Sequence, residues 1–487
     1  MQEERAAVAE QQAGAGSAPQ QGVKKHHGFS GKIGFVLAAA GSAVGLGNLW
    51  RFPYLAAKYG GGIFILCYII LAATVGITLL MLEIAIGRKT GKGVLGAFAA
   101  LNKKFKWLGF LCLVVPVIIV PYYCVIGGWV VKYIVAFLGG ASGLVASGGA
   151  AVDTDAYFTS FIADPWQPLL FFLIFAAATI FVVVFGVQKG IERISKVLMP
   201  LLAVISVALM VYVLCQDGAL EGVVYLFTPD FSQFGYETLL AALGQLFYSL
   251  SLAMGIMITY GSYMKKDVSV PKSSLQIAIC DSAFAIVAAT IIIPSIFAFS
   301  ASSDAAQNAL GTSGPSLMFV QLPAVFNNLP GGRWIGAAFF ILVFFAALTS
   351  SISLVEAIVA VLRENLHLKR WLSCLIVFGL VLVLGVLSSL GFGVLDGIHL
   401  ELPSGASYGI LDMFDYLANS ILMPIVAICT CILAGYFIDK NLIPDEIGLQ
   451  KQGMRVYFRV MVRYIAPVCM AIILISGIVF NLILPPL

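Results

Sequence analysis

The sequence predicts an all-α integral membrane protein of about eleven spanning helices, arranged as two halves of opposite orientation with the first and sixth helices broken midway. Three observations carry this. The chain of 487 residues is 60% hydrophobic and only 11% charged, with a mean hydropathy of +0.99, a composition foreign to ordinary soluble domains. Apolar runs long enough to cross a bilayer recur along its whole length. Two of those runs are interrupted in the same way, by small and hydroxyl-bearing residues.

Residues 1–27, rich in Ala, Gln and Gly and without a cleavable signal, read as a disordered cytoplasmic tail. The expected spans are about 33–55, 61–87, 107–138, 167–186, 190–215, 237–263, 272–300, 335–365, 370–391, 408–437 and 457–484. Long connections at 139–166, 301–334 and 392–407 are rich in Gly, Ser, Ala and Asp and hide no soluble domain. Of the 28 Lys and Arg, only Arg51, Lys58, Lys132 and Arg333 fall on one side of the membrane. The others cluster in the tail and between alternate pairs of spans. The excess of positive charge on the cytoplasmic side therefore places the N-terminus inside, and an odd number of spans places the C-terminus outside. Such short clusters beside membrane spans point to the lipid bilayer as a partner and away from nucleic acid. The nine cysteines lie almost wholly in apolar spans with no CxxC pair, so they read as small buried hydrophobes.

The first interruption is "GSAVGLGN", Gly41 to Asn48; the sixth span carries "YSLSLAMGIM", Tyr248 to Met257. The first span enters from inside and the sixth from outside. Matching breaks in halves of opposite orientation mark an inverted-repeat transporter. Close helix packing through small residues is the competing reading, but it does not call for Asn48 and Arg51 in the same helix. Unwinding frees main-chain groups that lipid would penalise, so the broken segments must line an enclosed cavity. Freed carbonyls suit a small hard cation, and half-helix N-termini suit a carboxylate. A zwitterionic substrate bound with sodium fits both.

Longer motifs carry a family resemblance. "GSAVGLGNLWRFPY" followed by "GGGIF", "GQLFYSLSLAMGIMITYGSY", "FFAALTSSISLVEA", "QKGIERISKVLMP" and "LLMLEIAIGR" resemble the neurotransmitter:sodium symporters over about residues 28–480. The resemblance is to the bacterial amino-acid-transporting, eleven-helix branch. It implies sodium-coupled symport on a five-plus-five inverted-repeat (LeuT-like) fold. Residues 28–215 would form the first repeat, 216–440 the second, and 441–487 the last helix.

The resemblance also implies two sodium sites. One would use the carbonyls of Gly41, Val44 and Ala346 with the hydroxyls of Thr349 and Ser350. Oxygens without full charge suit sodium, although such hydroxyls can instead bond to their own helix carbonyls. The other would use the Ala43 carbonyl, Asn48, Ser249, Asp281 and the substrate carboxylate. Asp281 stands where the family usually has Asn, inside the apolar stretch "AICDSAFAIVAA", and an intramembrane carboxylate is a functional feature by default. Chloride-independent relatives carry a fixed acid one helical turn further on, where this chain has Ala285. Asp281 is therefore expected to supply that charge, with no chloride requirement. The alternative is a protonated Asp281 hydrogen-bonded to Tyr68 or Gln245.

Gly45 stands where monoamine-transporting relatives have Asp, leaving room for the carboxylate of an α-amino acid. That carboxylate would meet the amides near Leu46 and Gly47 and the Tyr123 hydroxyl. Its amine would meet carbonyls near Ala43, Ser249 and Ser251. Ile119, Tyr123, Phe247, Tyr248, Met254, Ser350 and Leu354 would line a side-chain pocket suited to a hydrophobic or aromatic amino acid. Arg51 and Asp415 match the external gate, with Tyr123 and Tyr248 as the lid beneath. Tyr263 and Glu364 match the cytoplasmic network, whose basic member is His26, Lys24 or Lys25. Glu83 reads as a buried bridge to the broken sixth span, and Glu356 has no assigned role. Two sodium ions with a zwitterion would carry two charges inward, worth roughly 4.6 kcal/mol at 100 mV.

Rival functions are weaker. With four His, at 26, 27, 367 and 399 and all near span ends, neither a metal cluster nor a nucleophile–base pair is evident, so an enzyme is not expected. A proton-coupled symporter using Asp281 or Glu356, and a non-transporting amino-acid sensor, share the same binding residues.

Overall fold

The computed structural model describes residues 28–140, 144–145, 152–300, 302–311, 315–328, 331–403, 405 and 407–482. The expected tail, with Lys24, Lys25 and His26, lies outside the described residues. Among those described, nine helices are long and apolar enough to cross a membrane, and a bent pair, Lys32–Ala43 with Gly47–Lys58, makes a tenth span with its halves at 52°. A second broken pair, Tyr236–Ser249 with Ile256–Ser262, is short in each half. Taken as one span it brings the number to about eleven. In chain order the second to fifth spans are Gly62–Thr90, Lys103–Gly139, Gln167–Val184 and Val187–Leu214; the seventh to eleventh are Val270–Phe299, Gly332–Asn365, Arg370–Leu390, Ile410–Phe437 and Gln452–Val479. The eighth span is mostly enclosed by its neighbours, whereas only 17% of the apolar stretch of the eleventh is buried. Lipid therefore faces the eleventh span, and the eighth runs through the centre.

Both breaks follow from local sequence. The first helix stops where Val44 turns extended (φ −73°, ψ 100°), between Gly41 and Gly45. In the sixth span Ser251, Ala253 and Gly255 adopt φ of 53°, 61° and 73°. A non-glycine residue there costs roughly 1–2 kcal/mol, so neighbours must hold it. The Ala253 amide donates to Glu83 Oε1 at 2.7 Å, and the Ser251 hydroxyl donates to the Ser42 carbonyl at 3.0 Å. Every residue from Leu250 to Gly255 is buried, which keeps the unwound main chain out of lipid.

The second and sixth spans touch main chain to main chain. A Cβ on Gly87 would lie 1.9 Å from the Ile258 carbonyl oxygen, and one on Gly261 would lie 2.3 Å from that of Ile84. Small residues permit this approach in a membrane bundle, and any larger residue forces the helices apart. We expect Gly261→Ala to destabilise the protein by about 1–3 kcal/mol or more. Gly379→Ala, at a helical position with nothing within 4 Å, should leave stability unchanged or raise it by up to about 1 kcal/mol. Melting of the two purified variants in one detergent checks this, and equal melting temperatures would refute the contact. About three helical turns before Gly87, the π-helical segment Ala72–Gly76 of the second span faces the sixth-span break, since a Cβ on Gly76 would lie 2.7 Å from Leu250 Cδ1.

Candidate ion and substrate site

The two breaks meet the eighth and seventh spans around two oxygen clusters. In the first, Ser350 Oγ lies 3.3 Å from the carbonyl oxygens of Gly41 and Val44 and donates to that of Ser42 at 3.0 Å. Thr349 Oγ1 donates to its own helix, at 3.1 Å to Ala346 and 3.0 Å to Phe345. Gly41 packs on Thr349, whose Cβ would be 3.2 Å from a Cβ on the glycine. The structure thus brings Gly41, Val44, Ala346, Thr349 and Ser350 to one place. A hydroxyl proton turned to a helix carbonyl leaves its lone pairs free to face a cation.

The second cluster surrounds Asp281, which is fully buried. Its Oδ1 accepts from Ser249 Oγ at 2.6 Å and from Asn48 Nδ2 at 2.7 Å; its Oδ2 accepts from the Tyr68 hydroxyl at 2.7 Å. Gln245, the other partner considered for Asp281, instead donates to the Gly47 carbonyl at 3.0 Å. Asn48 Oδ1 caps the break by accepting from the Gly45 amide at 3.0 Å. Among the described residues no three His, Cys, Asp or Glu gather in a metal-ligating group. One carboxylate amid neutral oxygens is the chemistry of a hard monovalent cation.

Beside the first cluster, sharing Ser350 with it, lies a chamber of about 20 Å³, walled by Ala43, Gly45, Leu46, Gly47, Ile119, Tyr123, Tyr248, Ser251, Met254, Ser350 and Leu354. The Tyr123 hydroxyl accepts from the Leu46 amide at 3.4 Å. The chamber must widen to hold an amino acid, because this volume suits about one water; Met254 is its most adaptable wall. Ser42 and Ile256 also line it and were not anticipated. Nothing in their residue types marked them. Phe247 does not line it: it faces a larger vestibule of about 710 Å³, with Arg51, Lys58, Glu237 and Asn419. Ser249 likewise turns from the chamber to Asp281. Tyr248 lines both spaces and partitions them.

The gates differ from expectation. Arg51 and Asp415 form no ion pair. The Arg51 guanidinium lies over the Tyr248 ring at 5.5 Å. Asp415 accepts from the Tyr122 hydroxyl at 2.9 Å and from Asn419 at 2.5 Å. At the other expected gate Tyr263 does not meet Glu364. Its hydroxyl donates to Glu356 at 2.9 Å, while Glu364 accepts from the Gly93 amide at 2.6 Å. Glu356 is fully buried and ion-paired with Arg370, whose Nε donates to the Val183 carbonyl at 2.7 Å. Nothing in the sequence pointed to Arg370, which supplies Glu356 with an ionic partner. The N-terminal segment closes the same face: the Phe29 amide donates to the Tyr263 carbonyl at 3.2 Å, and Ser30 bonds to buried Glu192 through both amide and hydroxyl.

The sodium:neurotransmitter symporter family model matches residues 26–141 and 163–483. The chain belongs to that family. An uncharacterized sodium-dependent transporter of Bacillus subtilis, YhdH, is 34% identical over 92% of this chain and 97% of its own length. One from Haemophilus influenzae is 29% identical over 93% and 99% respectively. The crystal structure of MhsT in complex with L-phenylalanine superposes with a TM-score of 0.82 at 36% identity, covering 93% of this chain and all of that one. Membership in the sodium:neurotransmitter symporters makes this chain a multi-pass membrane transporter coupled to sodium, and sets it among transporters rather than enzymes.

Proposed function

We propose that the protein imports a hydrophobic or aromatic L-amino acid with two sodium ions and without chloride. The observation that carries this is the chamber: Gly45, Ile119, Met254 and Leu354 offer no side-chain charge, while the flanking breaks offer carbonyls, and Asp281 supplies a fixed negative charge beside Asn48 and Ser249. The L-phenylalanine bound to the similar MhsT supports an aromatic substrate. The substrate carboxylate is assigned to the Leu46 and Gly47 amides and Tyr123, and its amine to the region of Ala43 and Ser251. The repeats are assigned to 28–215 and 216–440, with 441–487 as an added helix. The protein is assigned to the plasma membrane, with the N-terminus cytoplasmic and the C-terminus outside.

The test is uptake into proteoliposomes of a panel of labelled amino acids. L-Phenylalanine or a bulky aliphatic amino acid should accumulate with an inward sodium gradient, equally with chloride or gluconate outside. Uptake that persists with choline in place of sodium but follows a proton gradient would establish proton coupling instead. Saturable binding without accumulation would make the protein a sensor.

A further inference from the structure

The eleventh span carries Arg455, Arg459 and Arg463 at four-residue spacing, hence along one face of its cytoplasmic end. The three are treated differently. Arg455 pairs with Asp445 at 2.6 Å and donates to the Leu449 carbonyl at 2.6 Å. Arg459 donates only to the Arg455 carbonyl, at 3.3 Å. Arg463 lies 4.2 Å above the Tyr436 ring and 5.8 Å from that of Tyr464, and its own carbonyl accepts from the Tyr436 hydroxyl at 3.1 Å. Among the described residues neither Arg459 nor Arg463 has a carboxylate partner.

This face looks into lipid. Tyr436, Phe437 and Tyr464 are each about half exposed, and Arg463 is itself exposed. From Tyr464 to Leu482 no charged residue follows, roughly the length that crosses the hydrocarbon. Arg463 therefore stands at the boundary between headgroups and acyl chains, where a guanidinium without a protein anion is costly unless a lipid provides one. The third span adds to the same corner. Asn102 donates to the Phe437 carbonyl at 3.3 Å, and the Phe105 ring lies 4.9 Å from that of Phe437. This brings Lys103, Lys104 and Lys106 beside it.

We propose that the seam between the tenth and eleventh spans binds the phosphate of an anionic phospholipid headgroup. Arg459 and Arg463 hold the charge, and Tyr436 orients the Arg463 plane by stacking. The site connects to the transport machinery. Arg455 ties the eleventh span to Asp445, and the next residue, Glu446, is ion-paired with Arg88 at 2.8 Å and Lys266 at 2.7 Å. Those two cations lie at the cytoplasmic ends of the second and sixth spans. Anionic lipid at the seam thus braces the joint on which both broken-helix partners rest. This inference is independent of the substrate, since it needs no transport to be read.

The experiment uses the full chain in nanodiscs of phosphatidylcholine with and without phosphatidylglycerol, with lipid retention read by native mass spectrometry and stability by melting. Wild type should retain phosphatidylglycerol selectively and melt higher in its presence. The Arg459→Gln/Arg463→Gln double variant should lose roughly 30-fold in affinity for that lipid, with unchanged melting in pure phosphatidylcholine. Lys272→Gln, a cytoplasmic charge on the seventh span, should behave as wild type. If the double variant melts low in phosphatidylcholine, Arg463→Gln alone is read, with a partial loss expected. Equal retention by the arginine variants, or equal loss in Lys272→Gln, would overturn the site in favour of diffuse attraction. Displacement of the lipid by soluble glycerol phosphate would overturn it in favour of a free-phosphate site.

Discussion

Asp281→Ala should abolish sodium-driven uptake while leaving the protein folded. The carboxylate satisfies Ser249, Asn48 and Tyr68 at 2.6–2.7 Å from a fully buried position. Its removal leaves three donors facing a hole and takes away the one full negative charge at that cluster. Breaking one partner of a buried charged arrangement costs about 3–5 kcal/mol; felt in sodium binding, that is a roughly 150- to 5000-fold fall in affinity. Asp281→Asn separates shape from charge. It keeps one acceptor for Ser249 and Asn48, so its folding should match wild type more closely, yet its sodium affinity should remain depressed. Sodium titration of amino-acid binding reads both variants, and wild-type binding should ignore replacement of chloride by gluconate. Unchanged uptake in Asp281→Ala, or a chloride requirement in wild type, would contradict the role given to this residue.

Gly45→Ala should weaken substrate binding by roughly 5- to 150-fold. A Cβ built there lies 2.7 Å from Ser350 Oγ and 3.0 Å from the Tyr123 hydroxyl. The first is closer than real methyl contacts, so Ser350 must shift, and the second is tight enough that Tyr123 must also give a little. Displacing Ser350 separates it from the Gly41 and Val44 carbonyls; displacing Tyr123 removes a donor proposed for the substrate carboxylate. The chamber has about 20 Å³ to spare and cannot absorb the methyl elsewhere. Overpacking of 1–3 kcal/mol corresponds to roughly 5- to 150-fold weaker binding. Binding by isothermal calorimetry at saturating sodium checks this, with melting as the control for folding. Wild-type affinity in Gly45→Ala would show that the substrate does not approach this part of the main chain.

The unwound segments were legible because their cause is local. Gly41, Gly45, Ser251 and Gly255 cannot sustain helix against competing polar groups, and Asn48 in lipid demands an enclosed partner. The clustering of Thr349 and Ser350 with first-span carbonyls was legible through the family motif. The gates were not, because their pairing depends on the third dimension. Glu356 and Glu364 are eight residues apart on one helix, which places them about 12 Å apart along its axis and about 80° around it. Spacing alone does not say which one faces Tyr263. Arg370 reaches Glu356 only because the eighth and ninth spans fold back on each other. Phe247 and Tyr248 are neighbours, and the 100° between adjacent helical positions sends one to the vestibule and lets the other face the chamber.

The contact of Gly87 and Gly261 with bare main chain has a mechanical consequence. With no side chains between them, the portions of the second and sixth spans around Gly87 and Gly261 have no cushion that could shear, so any movement carries them as a single strut. Compliance is left only where regular winding fails, at Ala72–Gly76 on one rod and Leu250–Gly255 on the other. Gly76 and Leu250 set those two soft points side by side. Any swing of the strut would be taken up at this paired elbow rather than by bending of the rods.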